Sequence, residues 1–262
     1  MSALSTALRE PAELTALPPW HTPGAHAAFL GRTGGYSSGP YGSFNLAGWI
    51  GDQRSAVELN WRRFNEQFPL RRITRLRQVH GATVRTIEVA ESALEDGDGM
   101  VTAMAGVALG IFTADCVPVL MTDPVQRICA ALHAGWRGTL AGIAAEGVSA
   151  MRRLGARPNV IRAAMGPAIE GCCFEVDSDL AERFAEIPGG GDHIRPGRPG
   201  KAYLSLRSIL RDQLEGCGLR RDSIISVGPC TRCAHDRFFS RRANAGGVTG
   251  LQLSFIGLDQ SV

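Results

Sequence analysis

Between residues 55 and 68 the apolar side chains Val57, Trp61, Phe64 and Phe68 recur at helical spacing. Ser55-Ala56-Val57-Glu58 has the S-x-x-E form of a capping box, so a helix is predicted from Ser55 through Phe68. From Ile73 to Val89 the pattern changes to alternation: Ile73, Arg75, Arg77 and Val79, then Val84 and Ile87, predict two strands broken at Gly81. Val107 to Met121 is apolar almost throughout and predicts buried strand, although Ala114-Asp115-Cys116 falls in its middle. Ile128 to His133 reads as another buried strand, and Thr139 to Leu154 as a helix closed by Gly155 with Pro158 beyond it. Helices are also predicted over Asp177 to Ile187 and Ser205 to Gly216, and strands over Val160 to Met165, Ile224 to Gly228 and Gly250 to Ile256.

Strands and helices therefore interleave along the chain with no internal repeat. The expected fold is one α/β (α+β) sandwich of mixed β-sheets with flanking helices, spanning residues 26–262 behind a polar, proline-dotted leader at 1–25. The glycine-rich stretch Gly31 to Gly51 cannot be one regular element, and Pro188 to Gly200 reads as a loop. The leader has no continuous apolar core, and no later run reaches the ~18 residues of a membrane span. The expectation is a cytoplasmic protein with no membrane partner.

Charge narrows the partners further. Lys and Arg total 28 against 25 Asp and Glu, a net charge of +3 that gives no reason to expect a nucleic-acid partner. All the basic residues but Lys201 are arginine. The seven cysteines are an odd number with no compact framework spacing, which reads as reduced thiols, some of them ligands, and not as a disulfide scaffold. Neither a phosphate-binding G-x-x-x-x-G-K-[ST] loop nor a dinucleotide, nucleophile-elbow or H-E-x-x-H motif is present.

Three polar residues stand at the ends or middles of apolar strands: His80 after Val79, Cys116 within Ile111 to Met121, and His133 at the end of Ile128 to Leu132. Buried polar groups cost roughly 1 to 3 kcal/mol unless satisfied. Two histidines and a cysteine are also the ligand inventory of a catalytic zinc site with one open position. From spacing alone each of the three is better accounted for as a hydrogen-bonded core residue. His133-Ala134-Gly135-Trp136-Arg137-Gly138-Thr139 joins a strand to a helix, with glycines that admit a ligand close to the backbone and Arg137 to attract an anion. Cys230-Thr231-Arg232-Cys233 has C-x-x-C spacing, but its only companion pair is the vicinal Cys172-Cys173, which is expected to chelate one metal poorly; buried or loop thiols are the expectation. Arg241-Arg242 is either a solvated pair or a substrate clamp.

The runs Gly39-Pro40-Tyr41-Gly42-Ser43-Phe44-Asn45-Leu46, Gln78-Val79-His80, Thr113 to Leu120 (TADCVPVL), His133 to Gly138 (HAGWRG), Gly166 to Val176 and Cys230 to Arg242 occur in that order. Together, from about Gly31 to Leu258, they resemble the laccase-domain family, once called multicopper polyphenol oxidases and now described as purine nucleoside phosphorylases with adenosine deaminase activity. The resemblance implies an α/β sandwich related to cysteine-hydrolase-like toxin domains and a zinc site, with copper as the alternative metal, held by His80, Cys116 and His133. It implies purine nucleosides (adenosine, inosine, methylthioadenosine) and inorganic phosphate as substrates, with water for deamination. Asp115, Cys116 and His133 are then the expected catalytic groups, and Asn45, Gln78, Gly135, Arg137 and Arg242 the expected substrate contacts. Two family cations are replaced, by Ala243 after Arg242 and by Leu251 in Thr249-Gly250-Leu251. Three other readings use the same residues: an amidase-type hydrolase with a Cys116 thiolate and a histidine base; a copper polyphenol oxidase, for which six histidines are few; and a metal- or nucleoside-binding module without turnover.

Overall fold

Period-two alternation on two neighbouring central strands is what layers this molecule. The computed structural model describes residues 24–68, 73–88 and 94–259. Its strands are β1 (Ala25–Phe29), β2 (Ile73–Thr74), β3 (Val84–Thr86), β4 (Gly99–Thr102), β5 (Ala108–Thr113), β6 (Val117–Asp123), β7 (Ile128–Ala134), β8 (Arg162–Met165), β9 (Glu175–Asp177), β10 (Ile194–Pro196), β11 (Lys201–Leu204), β12 (Ile224–Ser226) and β13 (Gln252–Leu258). The helices are α1 (Arg54–Gln67), α2 (Trp136–Leu140), α3 (Ile143–Arg153), α4 (Ser178–Ala185) and α5 (Leu206–Gly216).

A six-stranded mixed sheet runs in the order β12-β8-β6-β7-β4-β3, a four-stranded one β1-β13-β5-β2, and a small antiparallel one β10-β11-β9. On β6 and β7, Val117, Val119, Met121, Ala130 and Leu132 point to one face and pack with α3 and α5 through Ile143, Val148, Ile209 and Leu210. The intervening Leu120, Cys129 and Ala131 point to the other face and meet Phe29, Leu109, Ile111 and Ile256 of the four-stranded sheet. The outer face of that sheet, with Ala28, Phe112, Leu253 and Phe255, is covered by Phe64 of α1 and by Phe44 and Leu46 of the glycine-rich segment. The fold is thus a mixed α/β sandwich. No helix among the described residues is long and apolar enough to cross a membrane.

Several elements differ from the sequence reading, each for a local reason. The apolar run at 107–121 is two strands in two different sheets, β5 and β6, with the chain turning at Ala114 to Cys116, where Asp115 has φ +93°. The helix expected from Thr139 begins at Trp136 and is broken by Gly142, whose φ of +81° ends α2 before α3 starts. Helix α1 starts one residue early, after Gln53, and the expected capping box at Ser55 does not form. Strand β10 lies inside the expected loop at 188–200, and β4, β9 and β11 had no distinct apolar signature. Most of the leader expected over 1–25 lies outside the described residues, and Ala25 already begins β1.

Candidate functional site

The turn between β5 and β6, the end of β7 and the loop after β2 meet at one point. Ligand-capable atoms of His80, Cys116 and His133 lie within 4.8 Å of one another, and the two imidazoles stand edge to face with centroids 4.8 Å apart. Gly135 backs them closely: a Cβ there would fall 3.0 Å from Cys116 Sγ and 3.2 Å from His80 Cδ2. Two of the four described non-glycine residues with positive φ, His80 (+62°) and Asp115 (+93°), belong to this junction. Such backbone costs of order 1–3 kcal/mol and persists only where surrounding contacts hold it.

Asp98, fully buried just before β4, supplies much of that hold and was not singled out by the sequence. Its Oδ1 accepts from the His80 backbone N–H at 2.9 Å and from His133 Nδ1 at 2.7 Å. Its Oδ2 accepts from the Gly81 N–H at 2.6 Å and the Val79 N–H at 3.2 Å. Although burial opposes ionisation, the His133 and backbone hydrogen bonds hold this carboxyl below the usual range. An ionised carboxylate only accepts, so His133 donates its Nδ1–H to Asp98; although burial opposes the charge, Cys116 and Asp98 hold this imidazolium up to about 9. Burial would raise the Cys116 thiol, but His133 and His80 pull it down to about 6. A carboxylate flanked by Gly97 and Gly99 was the only trace in the sequence, and it carries no spacing that links it to either histidine.

The other expected residues are distributed unevenly around this centre. Gln78 uses its side-chain amide as a pseudo-strand, donating to the Phe112 carbonyl at 2.8 Å and accepting from the Phe112 N–H at 2.9 Å. Asp115 accepts from the Thr231 hydroxyl at 2.6 Å and from the Arg242 N–H at 2.7 Å, so both carboxylate oxygens are engaged. Asn45 is fully buried and joins Ala47, Asp52 and the Leu251 N–H. The Arg137 guanidinium lies over the Trp136 ring, 4.4 Å from its centroid. Arg242 donates to the carbonyls of Glu175 at 2.9 Å and Cys173 at 3.3 Å, and lies over Phe174.

A cavity of about 750 Å³ opens over the centre, with His80, Cys116 and His133 among its lining residues. Trp49 and Phe112 form an edge-to-face aromatic wall, 4.9 Å between centroids, and the Arg75 guanidinium lies 4.0 Å from the Trp49 ring centroid. Arg75, Arg77 and Arg241 are the cations on the lining; Asn45, Asp115, Gly135, Arg137 and Arg242 are not on it. Sequence reasoning missed Trp49, Arg75 and Arg77 as cavity residues, because the loop before β3 and the glycine-rich segment come together only through the folded sheets.

Residues 26–259 match the family described as multi-copper polyphenol oxidoreductase laccase. The chain is 40% identical over 232 residues to a purine nucleoside phosphorylase of Deinococcus radiodurans, covering 88% of each. It is 36% identical over 248 residues to the purine nucleoside phosphorylase YlmD of Geobacillus stearothermophilus, covering 89% of this chain and 90% of that one. The crystal structure of the hypothetical protein YfiH of Bacillus licheniformis superposes with a TM-score of 0.84 at 31% identity, over 90% of this chain and 93% of that one. On a match that spans all three sheets and every element around the cavity, the chain belongs to the multi-copper polyphenol oxidoreductase laccase family.

Proposed function

We propose that the chain is a zinc-dependent purine nucleoside phosphorylase that acts on adenosine, inosine and methylthioadenosine with inorganic phosphate, and that the same site deaminates adenosine. The observation that carries the reading is the His80, Cys116 and His133 set on the lining of a cavity with an aromatic wall and three arginines. Relatives named purine nucleoside phosphorylase over nearly nine-tenths of the chain support it. The donor set fits the metal: one sulfur and two imidazoles converge, and Asp98 takes the His133 Nδ1–H, so that release of the other ring proton would give Nε2 to a metal. A zinc ion held there would supply Lewis-acid chemistry, with copper as the alternative occupant.

The chain's own residues divide the remaining work. Trp49 and Phe112 offer a flat apolar face to the purine, and Arg75, Arg77 and Arg241 offer guanidiniums to the phosphate. These three replace Arg137 and Arg242, which are off the cavity lining, as the proposed phosphate contacts, although Arg77 also pairs with Asp96 and Arg75 lies over Trp49. In phosphorolysis a phosphate oxygen bonds to C1′ as the bond from C1′ to the base nitrogen breaks, and the base leaves with the electron pair. In deamination a water oxygen bonds to C6 as the bond from C6 to the amino nitrogen breaks, and ammonia leaves with a proton taken from that water. Asp115, whose two oxygens are both engaged, is assigned to positioning the ligand-bearing turn.

Hypoxanthine release from inosine, followed with and without phosphate alongside metal analysis, tests the reading. Turnover that requires phosphate, and loss of turnover together with one equivalent of metal relative to the parent in Cys116→Ala, are expected; full turnover by Cys116→Ala protein overturns it. A second reading rests on one specific observation, the low Cys116 thiol aligned with His133 and Asp98, which is the order of a nucleophile, base and orienting acid. It predicts stoichiometric alkylation of Cys116 that added zinc does not slow.

A further inference from the structure

Four of the seven cysteines converge at a second place, outside the cavity lining. Cys172 and Cys173 lie in the turn between β8 and β9, and Cys230 and Cys233 in the turns after β12. All four Sγ atoms lie within 4.8 Å of one another. Cys172 and Cys173 are 3.7 Å apart, Cys172 and Cys233 3.7 Å, and Cys173 and Cys233 3.4 Å. Four sulfurs at ~2.3 Å from a zinc ion stand about 3.8 Å apart along each tetrahedral edge. These spacings therefore match a cage around one ion.

The surroundings suit thiolates. The Glu170 backbone N–H points at Cys230 Sγ from 3.4 Å, and the Arg232 guanidinium approaches Cys173 Sγ at 3.5 Å. Both are donors, which anionic sulfur accepts. Cys173 and Cys230 are buried while Cys172 and Cys233 are exposed, which gives an ion a way in from solvent. The vicinal pair, a poor chelate on sequence grounds, works here because the chain curls back. The N–H groups of Cys173 and Phe174 both donate to the Glu170 carbonyl, at 2.7 and 2.8 Å, which turns both sulfurs toward Cys233.

We propose that Cys172, Cys173, Cys230 and Cys233 form a four-thiolate site for a single zinc ion, separate from the His80, Cys116 and His133 set. Binding releases the thiol protons and ties the segment before β9 to the segment after β12. The consequence reaches the cavity through Thr231, which sits between two of the ligands and donates to Asp115, the neighbour of Cys116. Its backbone N–H donates to the Ala168 carbonyl at 3.0 Å, so the cage and the ligand-bearing turn share one short stretch of chain.

Metal content of four proteins purified under reducing conditions without chelator tests this, with activity playing no part. Cys116→Ala removes a ligand of the first set only, and is expected to retain about one zinc per chain. Adding Cys172→Ser and Cys233→Ser, both at exposed positions, is expected to abolish that zinc, and the double serine variant alone to lose one zinc relative to the parent. Cobalt loaded into Cys116→Ala should give strong near-ultraviolet thiolate-to-metal absorption that the triple variant lacks. Cys116→Ala protein that binds neither zinc nor cobalt, that keeps its zinc when the two serines are added, or that yields a disulfide among these four cysteines under reducing purification overturns the proposal. Equal zinc in the parent and Cys116→Ala proteins would remove the metal from the first set while leaving the thiolate cage standing, so the two readings fail independently.

Discussion

A single buried carboxylate, Asp98, orients both histidines of the cavity, one through its backbone N–H and the other through its ring. Replacing it with Asn keeps the volume but removes the charge, and an amide presents only one acceptor oxygen to four donors. Outer partners of metal ligands are typically worth 10–100-fold in affinity, so Asp98→Asn is expected to weaken zinc binding by about that factor; competition with a chromogenic chelator measures it. Gly135→Ala tests the same junction by sterics, since its Cβ must displace Cys116 Sγ or the His80 ring. Lower metal affinity with a nearly unchanged melting temperature is expected, and unaltered affinity would show that the ligands have slack. Cys129 behaves in the opposite way to Cys116: enclosed between the sheets in β7, its thiol is pushed up to about 12 by burial. It should stay unmodified by iodoacetamide at pH 8 in the native protein, as peptide mass mapping can check. His80, Cys116 and His133 were legible in the sequence because each is a polar residue at the end or in the middle of an apolar run and lies in a motif that carries the family resemblance. Asp98 was not, because it acts across 17 to 35 residues of chain and leaves no local pattern.

At the scale of elements, the informative feature is the corner at Ala114 to Cys116. Hydropathy alone reads 107–121 as one strand, since β5 and β6 are both buried on two faces, and nothing in an apolar run announces a change of sheet. The interruption by Asp115 marked the place without revealing that the chain turns there. Short strands such as β4, β9 and β11 were invisible for a related reason: three or four residues are too few to establish a period. The corner is held by Asp115, which accepts from the Thr231 hydroxyl and the Arg242 N–H and so fastens the 230–242 segment to the turn that carries Cys116. Charge-assisted hydrogen bonds of this kind are worth roughly 1.5–3 kcal/mol each. Thr231→Val, which removes one of them and leaves the fully buried site without a hydroxyl, should destabilise the protein by about that amount in urea unfolding. A change below about 0.5 kcal/mol would show that the corner is held by packing and not by this bond.

The whole molecule brings six separate segments to one cavity: residues 49–50, 75–80, 94, 112–116, 133 and 241–251. No stretch of sequence contains the site, which is why its metal-capable residues could be named from motifs while its walls could not. The arginine-rich composition becomes specific only at this scale, where Arg75, Arg77 and Arg241 share one lining that Arg137 and Arg242 do not reach. Arg241 is the sharpest test of how the cavity is divided. It is exposed, its Nε donates to the Gly246 carbonyl at 3.2 Å, and it comes from a different segment than Arg75 and Arg77. A guanidinium that contacts phosphate contributes roughly 1.5–3 kcal/mol through charge-assisted hydrogen bonds, which is about 10- to 150-fold in affinity. Arg241→Ala is therefore expected to raise the KM for phosphate at least tenfold in inosine phosphorolysis, with metal content unchanged. Adenosine deamination needs no phosphate and should keep most of its rate in the same variant. Equal losses in both reactions would place Arg241 on the nucleoside, and unchanged KM for phosphate would move the anion contact to Arg75 and Arg77 alone.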